Sequence, residues 1–393
     1  MSRIAKYFLY IIFLPFWWLQ LWIPRNKRIW VFGAWYGNRF ADNSRSLFLY
    51  TIRNHPEIKC VWLTRNRAIL KQVSGEGGRA HMVWSIKGVF HSLRASNVFI
   101  SSGKRDVNPL FINGANWIQL WHGSPFKKIG LDDKYSTTNT FFQKIIVKNV
   151  FPFGSELNYH KIVSNASFFT PILASAFGVK RERVIETGSP RNDIFCSDKE
   201  NPFNRELRQK FQEAKLLYYL PTFRGREEAN SLFSLPDYDS EKLGVFLEEH
   251  NMVLVSKAHY VDNRLNSNVL ENERIIHLAD EDVSDINGLL KDADLLITDY
   301  SSIYFDFLLA EKPVIFAAFD LTAYVTGNRE LPFQYEEVTS GPIVKNWKEL
   351  YQELETIWSN AKYRILVKEK NTLFNKYHDE QNAKRVFDAV TNQ

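Results

Sequence analysis

Residues 295–316 read LLITDYSSIYFDFLLAEKPVIF. An apolar run stops at Asp299, two serines follow, Phe305, Leu308 and Leu309 recur at helical spacing, and a second apolar run begins after Pro313. A strand that is apolar throughout, rather than at alternate positions, is buried on both faces, as in a parallel sheet covered by helices. Working outward, the same kind of run recurs along the chain. One series comprises RVIET (183–187), KLLYYL (215–220), NMVLVS (251–256), RIIHL (274–278), ADLLIT (293–298) and KPVIFAAF (312–319). An earlier one comprises RIWVFGA (28–34), IKCVWLT (58–64), HMVW (81–84), NVFIS (97–101), NWIQLW (116–121) and KIVSNA (161–166). Helical stretches separate them, so the expected fold is α/β, with two doubly covered parallel sheets in tandem. The divide is expected at TGSPRND (187–193), where Gly188 and Pro190 interrupt the pattern. This gives an N-terminal α/β domain over 28–190 and a C-terminal one over 191–393. NTLFNKYHDEQNAKRVFDAV (371–390) reads as one final helix, with Phe374, Tyr377, Val386, Phe387 and Val390 on its apolar side, crossing the junction.

Residues 1–27 differ from the rest. YFLYIIFLPFWWLQLWI (7–23) is uncharged and apolar, with Arg3 and Lys6 before it and Arg25, Lys27 and Arg28 after it. It is shorter than the ~20 apolar residues of a spanning helix, contains Pro15, and is basic on both flanks. We expect an interfacial anchor on the cytoplasmic leaflet; a buried core helix is the alternative. The first 50 residues hold seven Lys or Arg against one acid, Asp42, and the whole chain carries a net charge of +6, which favours anionic partners such as a membrane surface or a phosphorylated substrate. No nucleic-acid-binding motif is present. Two distant cysteines, Cys60 and Cys196, exclude a disulfide framework and a structural zinc site.

In open parallel sheets ligands sit beyond the carboxyl ends of strands, and the polar motifs fall there. His122, Gly123 and Ser124 follow NWIQLW; Thr222 and Arg224 follow KLLYYL; Lys257 and His259 follow NMVLVS; Asp299, Ser301 and Ser302 follow ADLLIT. Ser301 and Ser302 can cap the next helix, or its first N–H groups and their hydroxyls can hold a diphosphate. Arg224 and Arg226 suit phosphate oxygens or are surface charges. His259 can meet negative charge on a leaving group or serve structurally. His122 can take a proton from an attacking hydroxyl, or hold a loop. Lys127 and Lys128 guide an anionic acceptor or lie on a solvated face. Asp306 is read as a structural or hydroxyl-binding carboxylate.

Together WHGSPFKKIG (121–130), TGSPRNDIF (187–195), YLPTFR (219–224), KAHY (257–260), LITDYSSIYFDFLLAEKPVIFAAFD (296–320) and FNKYHDEQNAKRV (374–386) resemble the ordered motifs of the CDP-glycerol glycerophosphotransferase family, the teichoic acid primases and polymerases. The resemblance covers 115–345 and the closing motif; N-terminal to residue 95 no motif is recognised. It implies two Rossmann-like domains of GT-B type, an acceptor domain followed by a CDP-donor domain, and a monotopic enzyme on the inner membrane face. It also implies His122 as catalytic base, His259 on the donor pyrophosphate, and Arg224, Ser301 and Ser302 on phosphates. Lys257 lies beside them, and Asp299 shapes the strand-to-helix turn. Gly123, Ser124, Lys127 and Lys128 would face the acceptor; Arg191, Asn192 and Asp193 would be structural or line the donor cleft. Ser124, Tyr260 and Glu380 stand where the family more often has threonine, proline and glycine. The implied reaction passes glycerol phosphate, or a related alditol phosphate, from CDP-glycerol to a hydroxyl of a membrane-linked glycolipid or polymer, releasing CMP, with no metal or other cofactor required. A UDP-sugar glycosyltransferase of the same architecture and a non-catalytic, membrane-associated anion-binding protein are the alternatives.

Overall fold

A computed structural model describes residues 3–134, 153, 156–222, 231–257, 272–279, 283, 285–327 and 330–392, with residues 3–10 as backbone alone. The chain forms two compact units. The first comprises residues 1–122, 129–193 and 381–393, and the second residues 123–128 and 194–380. The sequence thus passes between them more often than the single divide at 190/191 would require.

In the first unit seven strands, β1 (Asn26–Phe32), β2 (Lys59–Thr64), β3 (Ala80–Met82), β4 (Ala95–Ile100), β5 (Asn116–Gln119), β6 (Lys161–Ser164) and β7 (Val184–Glu186), form one sheet in the order β3-β2-β1-β4-β5-β6-β7. Each neighbouring pair is parallel. The run at 183–187 therefore closes the first sheet, with Ile162 opposite Val184, instead of opening the second. The central strands are wholly buried toward their carboxyl ends, and their Trp30, Phe32, Trp62 and Phe99 build the core with Phe48 of the Asp42–Asn54 helix. Phe32 and Phe99 stack at 4.7 Å between ring centres. In such a core each large aromatic ring buries about 150–250 Å².

The second unit holds β8 (Lys215–Leu220), β9 (Met252–Ser256), β10 (Ile275–His277), β11 (Leu295–Thr298) and β12 (Val314–Phe316), parallel in the order β10-β9-β8-β11-β12. Leu217, Tyr219, Leu254, Ile297, Ile315 and Trp347 lie in its core. Residues 123–128 belong here through Phe126, 1% exposed, whose ring meets those of Phe305, Phe333, Tyr335 and Tyr304 at 5.2–6.3 Å.

The expected final helix over 371–390 is two. One helix, Ala361–Phe374, stops at Asn375, whose side-chain amide donates to the Phe305 carbonyl at 2.8 Å and to Asn371 Oδ1 at 3.1 Å. A second, Asn382–Thr391, returns to the first unit, where Ala383, Val386, Phe387 and Val390 enter the core. Its exposed first N–H groups are satisfied by Asp193, which accepts from Asn382 N at 2.9 Å and Ala383 N at 3.0 Å.

The N-terminal helix runs from Arg3 to Leu19 with Pro15 inside it. Among residues 11–22, Trp17 is 4% exposed against Phe153, and Gln20, just past the helix, is buried and donates to the Leu110 carbonyl at 2.6 Å. Ile11, Ile12, Phe16, Trp18, Leu19, Leu21 and Trp22 are exposed. Most of residues 11–22 therefore lie outside the core, and among the described residues no helix is long and apolar enough to cross a membrane.

Candidate active site

Both strand orders run outward one way from the first strand of the unit and then back from its other side. The reversal falls between β1 and β4 in the first unit and between β8 and β11 in the second. Such a switch point opens a crevice beyond the strand ends, and most of the described candidate residues stand at or beside one of the two.

In the first unit β5, next to β4, delivers His122. Its Nδ1 lies 2.8 Å from the Ser101 carbonyl oxygen, an acceptor only, so Nδ1 carries the proton and Nε2 of the neutral ring holds a lone pair. Burial lowers the imidazole pKa from its ordinary value; Asp42 and the Ser101 carbonyl oppose that shift and Arg191 adds to it. The ring is bracketed by Trp121 at 4.1 Å and Trp35 at 5.8 Å between centroids. A neutral, desolvated, oriented imidazole is what general-base chemistry needs near neutral pH.

A second layer fixes this arrangement. Asp42 pairs with Arg191, Oδ1 to Nη1 at 2.6 Å, and its other oxygen accepts from the Trp35 indole N–H. Asn43 donates to the carbonyls of Leu120 and Trp121 at 3.2 and 2.9 Å and accepts from Arg191 N at 3.0 Å. Trp35, Tyr36, Asp42 and Trp121 all have φ between 48° and 59°, the left-handed region that side chains with a Cβ seldom enter. Such strain costs about 1–3 kcal/mol per residue and persists where surrounding contacts enforce it, often at functional sites. The sequence reading passed over Trp35, Asp42 and Asn43. Their signal was available only after the strand order was known, because the stretch after β1 becomes part of the site by lying beside β4.

In the second unit adjacent strands β9, β8 and β11 bring Lys257, Thr222 and Asp299–Ser302 to one edge. Asp299, 2% exposed, accepts from Thr222 N at 2.7 Å and Tyr300 N at 2.5 Å, bridging the ends of β8 and β11. It ties the crevice together. Lys257 N donates to the Tyr219 carbonyl at 3.2 Å. The expected capping by Ser302 does not occur: the residue precedes the short Ile303–Phe307 helix in helical φ and ψ, and its side chain makes no cap hydrogen bond. Ser301 and Ser302 are half-buried, and the Thr222 hydroxyl is buried without a hydrogen-bond partner among the described residues. Asp306 is fully buried, within 3.4 Å of the Asn287 amide, which makes it structural.

Gly123, Ser124, Lys127 and Lys128 lie on the segment that joins the second unit. Gly123 and Ser124 are buried, Lys127 lies over the Tyr324 ring at 5.3 Å, and Lys128 pairs with Glu330 while its N–H donates to the Glu330 carbonyl at 2.9 Å. Both lysines thus have partners on their own unit, and neither stands on a bare solvated face. Arg224, Arg226 and His259 lie outside the described residues.

Comparison with known proteins bears on this architecture. A family model described as CDP-Glycerol:Poly(glycerophosphate) glycerophosphotransferase matches residues 16–392, reaching far N-terminal to residue 95. Among curated relatives, a teichoic acid glycerol-phosphate transferase of Staphylococcus aureus is 28% identical over 361 residues, covering 89% of this chain and 88% of that protein. The teichoic acid ribitol-phosphate polymerase TarK of the same species is 31% identical over 250 residues, covering 61% of this chain and 45% of that protein. This chain therefore spans about half the length of some relatives and nearly all of others. In fold, the wall teichoic acid polymerase TagF superposes with a TM-score of 0.72 at 23% identity, covering 94% of this chain and 89% of that one. A putative UDP-N-acetylglucosamine 2-epimerase from Listeria monocytogenes superposes with a TM-score of 0.61 at 15% identity, over 93% and 97%. With its match running through almost the whole sequence, this chain belongs to the CDP-glycerol:poly(glycerophosphate) glycerophosphotransferase family.

Proposed function

We propose that this protein transfers glycerol phosphate from CDP-glycerol to a hydroxyl of a membrane-linked glycolipid or growing polymer, releasing CMP, in teichoic acid or related surface-polymer synthesis. The carrying observation is His122, a neutral imidazole whose Nδ1–H is committed to the Ser101 carbonyl and whose Nε2 is left basic. The acceptor O–H gives its proton to Nε2 as its oxygen attacks the β-phosphorus. The bond from that phosphorus to the bridging oxygen breaks, CMP departs with the electron pair, and a phosphodiester remains. Charge gathering on the phosphoryl oxygens and on CMP is met by Ser301, Ser302 and the N–H groups around them, with Lys257, Arg224 and His259 supplying further donors. In this scheme the first unit takes the acceptor and the second the CDP donor, and the two-unit α/β fold supports a GT-B assignment.

The exposed apolar side chains between Ile11 and Trp22, with exposed Lys27 and Arg28 beyond, support a peripheral seat on the anionic cytoplasmic leaflet. There the helix would lie along the surface and bring the enzyme to its lipid-linked acceptor. The test supplies the full chain with CDP-glycerol, CDP-ribitol or a UDP-sugar on a defined glycolipid acceptor and follows nucleotide release and product mass. CMP release with one alditol phosphate added per event supports the proposal. UDP release alone refutes it.

A further inference from the structure

Beneath the N-terminal helix, and wholly within the first unit, lies a cavity of about 280 Å³ that the reaction above does not use. Trp17, Leu21, Lys104, Asn113, Trp117 and His160 are on its wall. We propose that this cavity binds the phosphate of a membrane lipid headgroup, so that the helix and the cavity together grip one lipid. The proposal rests on the peripheral membrane seat argued above.

The wall is built from donors. The indole N–H of Trp17, a residue 4% exposed, is buried without a hydrogen-bond partner among the described residues. His160 Nδ1 accepts from Trp117 N at 3.0 Å, so a neutral ring carries its proton on Nε2 and presents a donor there. Lys104, 3% exposed, donates to the Leu157 carbonyl at 2.6 Å and sits 5.4 Å from the Trp117 ring centre, bringing positive charge to the same wall. Gly114, at φ +88°, also lines the cavity; a Cβ there would come within 3.4 Å of Arg25 Nε, another buried donor without a partner. Burial holds Lys104 down at about 8 and Arg25 at about 10, the expected cost of placing cations away from water. An anion offsets that cost, and a tetrahedral phosphate oxygen cluster accepts from several such donors at once. Glu156, which accepts from Lys104 N at 2.8 Å, balances part of the charge and favours a singly charged phosphodiester over a dianion.

The rim selects a lipid source. Leu21 lines the cavity and is 52% exposed, and Trp22 beside it is 86% exposed, continuing the apolar surface of Ile11, Ile12, Phe16, Trp18 and Leu19. A phosphate in the cavity would therefore have its acyl chains beside an apolar surface. A free phosphate would gain nothing from it.

Calorimetric titration of the full chain with dihexanoyl-phosphatidylglycerol below its micelle concentration tests this, beside inorganic phosphate, glycerol 3-phosphate and dihexanoylglycerol. We expect saturable one-to-one binding of the phospholipid, none of dihexanoylglycerol, and about tenfold weaker phospholipid binding in both Trp17→Phe and Lys104→Met. Trp17→Phe keeps an aromatic ring against Phe153 and removes the N–H together with part of the indole's bulk, so with a thermal melt to check its fold it serves should Lys104→Met fail to fold. Equal binding of dihexanoylglycerol, equal binding of inorganic phosphate, no saturable binding, or wild-type affinity in Trp17→Phe each overturns the proposal. Vesicle flotation of a Trp18→Ser, Trp22→Ser variant separates the two ideas: if the membrane seat is wrong, flotation is unchanged while soluble phospholipid binding stands or falls by itself.

Discussion

Replacing His122 by Asn removes the basic imidazole nitrogen Nε2 while retaining an amide whose Nδ2 stands where Nδ1 stood and can still donate to the Ser101 carbonyl, so the loop keeps its anchor. General-base catalysis contributes about 10²–10⁴ in rate, which corresponds to roughly 2.7–5.5 kcal/mol of barrier. CMP release from CDP-glycerol should fall by that factor while donor binding is largely kept, since the groups proposed to hold the donor are on the second unit. The pH profile provides the sharper reading. Burial depresses the His122 pKa, so the acid limb of kcat/KM should lie below the ordinary histidine value of about 6.5. Asp42 raises that pKa and Arg191 lowers it. Asp42→Asn should therefore move the limb further down, and Arg191→Gln should move it up. Either change breaks a mostly buried ion pair, which costs about 3–5 kcal/mol of stability, so thermal melts must accompany the kinetics. The sign for stability follows from the same shift: with its folded-state pKa depressed, His122 costs stability as pH falls from the unfolded value near 6.5 toward the lower folded one. A limb at or above pH 6.5, shifts of the same sign in the two variants, or a His122→Asn enzyme within tenfold of wild type would refute the assignment of His122 as base.

Three further outcomes are expected. Ser301→Ala and Ser302→Ala should each lower the rate of CMP release by about 10²–10³ if their hydroxyls meet charge in the transition state, read from kcat at saturating CDP-glycerol. Phe126→Ala, which opens a hole among Tyr304, Phe305, Phe333 and Tyr335, should destabilise the second unit by about 3–5 kcal/mol in denaturant unfolding. Replacing Trp18 and Trp22 together by Ser should reduce partition onto anionic vesicles about tenfold or more in flotation while leaving turnover of a soluble acceptor unchanged, because both rings are exposed and face away from the core.

The strands were legible because both sheets are parallel and buried on both faces, which leaves continuous apolar runs that differ sharply from their surroundings. Which sheet a run joins was not: Val184–Glu186 looks alike in either, and only its pairing with Ile162–Ser164 decides. The closing motif misled for a related reason. Nothing at 375–381 is Gly or Pro, and the break there is made by Asn375 reaching the distant Phe305 carbonyl and by Asp193 accepting from the next helix, 189 residues on. Local periodicity cannot register a cap that arrives from so far away. At the site, His122, Asp299 and the two serines announced themselves as polar residues ending apolar runs. Trp35, Asp42 and Asn43 did not, because their importance comes from strand order and from backbone conformations that no residue type advertises.

The return of the last helix to the first unit has a consequence for how the protein is made. The strands of the first unit emerge from the ribosome early, yet Val386 and Phe387, which join the same core and place Phe387 against Trp30 and His55, are translated long after them. At about 5–20 residues per second, the 189 residues between Asp193 and Asn382 impose a wait of roughly 10–40 s with that hydrophobic face open. Chaperone dependence should therefore concentrate on the nascent first unit, and deleting the Asn382–Thr391 helix should send that unit into inclusion bodies.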